Sequence, residues 1–127
     1  MESILQVLFD KACAGVIAQG AQSLMPGYNS ACAYRGTDGK KCAVGHLLSD
    51  EQIAMYGIKD MDIPEKFVTE LVRLLVPGIQ TGMAVEFLSD LQDAHDNSHH
   101  YSGSAFVSDF RYRANLIAQK WNLKDIK

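Results

Sequence analysis

Apolar residues recur at helical spacing from the start of the chain. Leu5, Leu8, Phe9, Ala12 and Val16 fall on one face between Ser3 and Gln19. Gly15 and Gly20 weaken the far end of that helix, and the turn residues from Met25 to Ser30 end it. Further on, Ser49-Asp-Glu-Gln52 matches a capping box, with Ser49 as N-cap and Gln52 reaching back to it. This predicts a short helix through Tyr56 that stops at Gly57. Pro64 and Glu65 open another, with Phe67, Leu71, Leu74 and Leu75 as its apolar stripe and Pro77-Gly78 as its end. A helix follows with Ala84, Phe87, Leu88, Leu91 and His95 on or near one face. After the polar stretch from Asn97 to Ser104, a last helix carries Phe106, Phe110, Ala114, Ile117, Ala118 and Trp121. A stripe that wide docks on a core, and Trp121 is expected there.

One segment departs from this periodicity. Two short runs flank Asp38-Gly39, a dipeptide that favours a two-residue hairpin turn because both turn positions want positive φ. The register that follows sets Arg35 opposite Cys42 and Cys32 opposite Gly45. Ala33, Arg35, Cys42 and Val44 then share one side, while Cys32, Tyr34, Ala43 and Gly45 share the other. Cys32 and Cys42 could not bridge in that register. A two-stranded ribbon is not stable alone, so the first and last long helices should cover it. The expected fold is α+β and mostly α: one helical domain spanning residues 1–127, with a β-hairpin inserted at about residues 31–45.

Composition narrows the class. A chain of 127 residues with 47% hydrophobic and 21% charged residues is ordinary for a soluble globular domain. The net charge of −3 speaks against a dedicated nucleic-acid binder, which usually carries a basic excess. No apolar run approaches the roughly 20 residues needed to cross a bilayer, so no membrane partner is expected. The opening MESILQVLFDK has an early Glu2 and no basic stretch, unlike a signal peptide. Three cysteines without framework spacing favour reduced thiols and a cytoplasmic location.

Cys42 is the one candidate nucleophile. The expected register sets it across from Arg35, near Lys41 and shortly before a helix, and nearby cations lower a thiol pKa. His95 is the candidate base of a thiol-dependent hydrolase or transferase. Asp96 follows it, but adjacent helical residues point about 100° apart, which leaves Asp96 poorly placed to orient it. Against this, Cys42 lies in the small apolar run Cys-Ala-Val, the setting of a buried structural thiol. Arg35 then pairs with a carboxylate such as Asp96, and Gln92 with Asp96 ties its helix to the hairpin. Cys32, Cys42, His46, His95, His99 and His100 could ligate a metal, which makes a structural zinc protein a further alternative. Yet no C-x-x-C or H-E-x-x-H spacing is present. Gly36-Thr-Asp-Gly-Lys-Lys41 lacks the spacing of a phosphate loop, so no metal and no cofactor is expected.

The string Cys32-Ala-Tyr-Arg-Gly-Thr-Asp-Gly-Lys-Lys-Cys-Ala-Val-Gly45, with Leu91-Gln-Asp-Ala-His-Asp96 downstream, resembles a set of small phage and bacterial proteins. These share a hairpin ending in Cys-Ala-x-Gly and a Leu-Gln-x-x-His-Asp segment. The chain departs at His46, where a small residue is more usual. In the hairpin Arg35, Asp38, Gly39, Cys42 and Gly45, and downstream Gln92, His95 and Asp96, form the structural motif. The resemblance implies a phage or prophage origin and, by association, a protein that binds and disables a bacterial host protein. The surface favoured for this runs from Asp50 to Glu65. There Asp50, Glu51 and Asp62 surround a hydrophobic anchor of Met55, Tyr56, Ile58 and Met61. A homo-oligomer built through the same residues is the rival use of that surface.

Overall fold

The computed structural model of the chain describes residues 3–21, 40–52, 78–96 and 103–126. Among the described residues three long helices make the frame: α1 (Ile4–Gln19), α2 (Thr81–Asp96) and α3 (Gly103–Lys120). Ser3 caps α1, its hydroxyl accepting from the Gln6 N–H at 3.1 Å. At the other end Gly20 takes φ 71, the left-handed cap that lets its N–H reach the Val16 carbonyl at 2.9 Å.

Contacts along the helices set their directions. Lys124, just beyond α3, meets Gln6 in the first turn of α1, while the Gly103 N–H donates to the Gly20 carbonyl at 2.9 Å. The two helices are therefore antiparallel. In the same way Trp121 meets Phe87 and Asp90, while Phe106 meets His95 near the end of α2. So α3 runs antiparallel to both neighbours, and α1 and α2 run parallel to each other. Phe9, Phe87, Leu91, Phe106 and Phe110 are fully buried between them. Trp121 is half-buried at the margin, its ring edge-on to Phe87 with centroids 5.6 Å apart.

The expected hairpin is not seen. Among the described residues there is no strand and no sheet, and the fold there is helical rather than α+β. Residues 31–39, with Arg35, Asp38 and Gly39, lie outside the described residues. The supposed return strand is instead a 3-10 turn at Val44–Leu47, entered through Ala43 at φ −56 and ψ −52. Cys42, Ala43, Val44, Gly45, Leu47 and Leu48 are all buried, a run that suits a covered strand as well as a turn, and the segment's shape is set by its own backbone bonds and by Gln19 and Gln92. A turn satisfies its own backbone there: the His46 N–H reaches the Cys42 carbonyl at 3.0 Å and the Leu48 N–H the Gly45 carbonyl at 3.4 Å. No partner strand is required.

The capping box takes the form its spacing predicts. The Ser49 hydroxyl accepts from the Gln52 N–H at 3.1 Å, and the Gln52 amide oxygen accepts from the Ser49 N–H at 2.8 Å. The chain is helical from Asp50 to Gln52. Residues 53–56, over which that helix was expected to continue, and the helix expected from Pro64 up to Pro77 lie outside the described residues. No helix among the described residues is long and apolar enough to cross a membrane.

Candidate functional site

The segment around Cys42 is wedged between the C-terminal halves of α1 and α2, and three contacts hold it. Gln19, at the end of α1, reads the Lys41 backbone on both sides. Its Oε1 accepts the Lys41 N–H at 2.7 Å, and its Nε2 donates to the Lys41 carbonyl at 2.9 Å and to the Ala21 carbonyl at 2.7 Å. The backbone before Ala21 and after Lys40 is thereby tied together by one amide. From α2, the Gln92 Oε1 accepts the Val44 N–H at 3.3 Å. The third contact is steric. The His46 ring lies against α1 at Gly15, where a Cβ would stand 2.5 Å from its Nδ1 and 2.6 Å from its Cγ. Only the absence of a side chain at Gly15 leaves that space.

Cys42 is 1% exposed. Its Sγ accepts the Gly45 N–H at 3.3 Å, the position a serine or aspartate oxygen takes when it caps a turn. The thiol thus works as a cap inside the core. Gly45 is buried beneath it. His95 is fully buried in the last turn of α2, its ring edge-on to Phe106 with centroids 6.3 Å apart. Asp96 is the last residue of α2. The structure therefore brings Cys42, Gly45 and Gln92 into one hydrogen-bonded turn and places His95 in the core against Phe106. The proposed partner of Cys42, Arg35, lies outside the described residues.

A second described cysteine lies in α1. Cys13 is buried, and burial, with the charge of Asp10 adding to it, pushes its thiol up to about 12 from an ordinary 9.0. Such a thiol is neutral and slow to react at pH 7. Among the described residues no three His, Cys, Asp or Glu side chains gather as a metal site. Cys32, His99 and His100 lie outside them.

Of the surface expected to bind a partner, Asp50 and Glu51 are described, and both are exposed in the first turn after Ser49. Met55, Tyr56, Ile58, Met61 and Asp62 lie outside the described residues. The sequence reading missed a second surface on the opposite seam. Between α2 and α3 runs an open groove of about 240 Å³, with Ala94, Leu116 and Ile117 lining it and Asp90, Asp93, Arg113 and Lys120 at its rim. The rim is internally neutralised. Lys120 Nζ lies 2.9 Å from both Asp90 Oδ2 and Glu86 Oε2, contacts that hold its charge up, Asp90 foremost. Asp90 also accepts the Trp121 Nε1–H at 2.9 Å. The sequence signal for this seam was the spacing of Glu86, Asp90 and Asp93 along one edge of α2.

Comparison of the chain with family models, with curated proteins and with solved structures finds no match.

Proposed function

We propose that this chain is a protein-binding module of phage or prophage type that acts on a bacterial host protein, in the manner of a counter-defence or regulatory inhibitor. The observation that supports a binding module best is the use made of its chemistry-bearing side chains. Cys42 and His95 are buried, and the Cys42 sulfur is engaged in capping a turn. A thiol-dependent enzyme needs a thiolate that substrate can reach, with a base beside it. Here both groups serve the fold. The phage-type part of the reading rests on the resemblance of the Cys32–Gly45 and Leu91–Asp96 strings to small phage and bacterial proteins.

The contact surface we assign begins at Asp50 and Glu51, which are exposed and acidic, and continues through Tyr56 and Met61 to Asp62. Charges at such a rim mainly raise the association rate. The test captures partners from a bacterial lysate and then titrates the purified partner against four chains. Cys42→Ala is expected to bind as the wild type does, whereas Asp50→Lys with Glu51→Lys should associate roughly tenfold more slowly at low salt. Tyr56→Ala with Met61→Asp should lose the partner. Rapid stoichiometric labelling of Cys42 in the folded chain, with the biological effect lost in Cys42→Ala, would replace this reading by the enzyme.

A further inference from the structure

The open groove between α2 and α3 has an apolar floor, built from Ala94, Leu116 and Ile117. Of the four exposed large hydrophobic side chains among the described residues, Tyr112 and Leu116 stand one turn apart on α3. Leu116 is 47% exposed although it lines the groove, and Tyr112, one turn before it, is 65% exposed. Scattered exposed apolar residues are ordinary, but two on one helix face beside an apolar cleft make the centre of a contact patch. Size and shape then favour a chain over a small molecule. A volume of about 240 Å³, open to solvent, falls below the roughly 300–1,000 Å³ of sites that enclose a small ligand. The walls are two antiparallel helices, and the seam of such a pair receives the side-chain ridge of a third helix.

Charge decides which helix fits. Lys120 is held by Glu86 and Asp90, and Arg113 by Asp109. Each cation of the seam is thus matched by a carboxylate, and with Asp93 at the rim four carboxylates stand against two cations. An apolar segment that carries positive charge gains from this excess, and one that carries negative charge is repelled. Glu86 and Asp93 lie two helical turns apart on one edge of α2, roughly 10 Å at 1.5 Å per residue. Cations spaced two turns apart on a second helix match them.

We infer that the α2–α3 seam is the docking site of a basic amphipathic helix from a partner protein, its apolar stripe on Leu116 and Ile117 and its Lys or Arg side chains at Glu86 and Asp93. The seam uses other residues than the surface that begins at Asp50 and Glu51, and its use by a host protein rests on the protein-binding reading.

The probe is a synthetic peptide that repeats Leu-Lys-Lys-Leu-Leu-Lys-Leu twice, beside a counterpart in which every Lys is Glu. Trp121, whose indole N–H meets Asp90 at the groove, reports binding by fluorescence, and amide shifts in NMR map it. The Lys peptide should bind the full wild-type chain saturably, at least about tenfold more tightly than the Glu peptide, with the shifts confined to α2 and α3. In a chain carrying Leu116→Lys and Asp93→Lys, both at exposed positions, the affinity should fall at least about tenfold. Asp50→Lys with Glu51→Lys alters the net charge more, yet should change the affinity less than about twofold, which separates the seam from bulk attraction. Equal affinities in the three chains, no saturable binding to the wild type, or equal binding of the Glu peptide overturn the inference. Should the seam variant not fold, the wild-type shift map decides, and shifts outside α2 and α3 overturn it. Two other occupants would do the same. A wild-type dimer in sedimentation that Leu116→Lys dissociates makes the seam a self-contact, and shifts in residues 64–75 caused by Leu116→Lys alone give the groove to the chain's own segment. A host partner held equally by wild type and by the seam variant overturns the groove as that partner's seat and leaves the protein-binding reading standing.

Discussion

The contact between Gly15 and His46 reverses an ordinary rule about glycine. In a helix interior, replacing glycine by alanine normally stabilises by about 1 kcal/mol, because the unfolded chain loses freedom and the helix gains a better former. At Gly15 the new Cβ would stand 2.5 Å from the His46 ring. We expect Gly15→Ala to destabilise by about 1–3 kcal/mol, the usual cost of overpacking. In a His46→Ala background the same substitution should turn neutral or stabilising. Urea unfolding of the four chains measures the cycle, and a stabilising Gly15→Ala in the wild type would remove this contact from the account. Cys13 makes a second test at this scale. Its folded pKa of about 12 lies above the 9.0 of an exposed thiol. The neutral thiol's contribution is therefore complete below pH 9 and is lost as pH rises towards 12, when the unfolded state ionises first. The full loss is on the order of 4 kcal/mol for a shift this large. Cys13→Ala should cost about 1–3 kcal/mol at pH 8 through its cavity, and the gap to wild type should narrow above pH 9. A gap that stays constant to pH 11 would deny the thiol this role.

Two Ser-x-x-Gln strings show how far an element can be read from its own residues. At Ser49 and Gln52 the exchange is reciprocal, as local spacing predicts. At Ser3 the hydroxyl caps α1 in the same way, yet Gln6 is drawn to Lys124 and Asp10 instead. Nothing near Gln6 in sequence announces a partner 118 residues away. The same division runs through the rest of the molecule. The stripes of α1, α2 and α3 were legible because each repeats at helical period over several turns: Phe106, Phe110, Ala114, Ile117 and Ala118 are all buried. The Cys42 segment was misread because an apolar run that short has no period to arbitrate strand against turn, and Asp38-Gly39 argued for a hairpin. Its actual shape depends on Gln19 and Gln92, which arrive from distant helices. The end of α3 offers a test confined to one element. Asn122 sits at φ 57, a region that costs most side chains about 1–2 kcal/mol and asparagine less. Thermal melts should show Asn122→Ala losing about 1 kcal/mol and Asn122→Gly losing none. Equal losses for both would place the effect in the side chain rather than the backbone.

At the scale of the whole molecule, α3 is the helix that α1 and α2 both need. It packs antiparallel against α1 and α2, and the chain beyond it returns to the first turn of α1, so its contacts span nearly the full length of the sequence. A topology that long-ranged ties the helices into one cooperative unit, because no pair keeps its buried face once the third leaves. Trp121, the single tryptophan, stands where this closes: edge-on to Phe87, its Nε1–H on Asp90, with Lys120 over its ring at 5.6 Å. Its fluorescence should therefore report the same unfolding event as the helical circular dichroism. We expect the two urea transitions to coincide in the wild type. In Phe87→Ala, which removes the ring against Trp121 and costs about 3–5 kcal/mol, both should move together to lower urea with an unchanged slope. Stability of a small domain is about 5–15 kcal/mol, so this variant should lie near the limit of folding at 37 °C. A fluorescence transition that precedes the loss of circular dichroism would mean that the α2–α3 seam opens by itself. The bundle would then be two units, and the groove between α2 and α3 a hinge rather than a fixed surface.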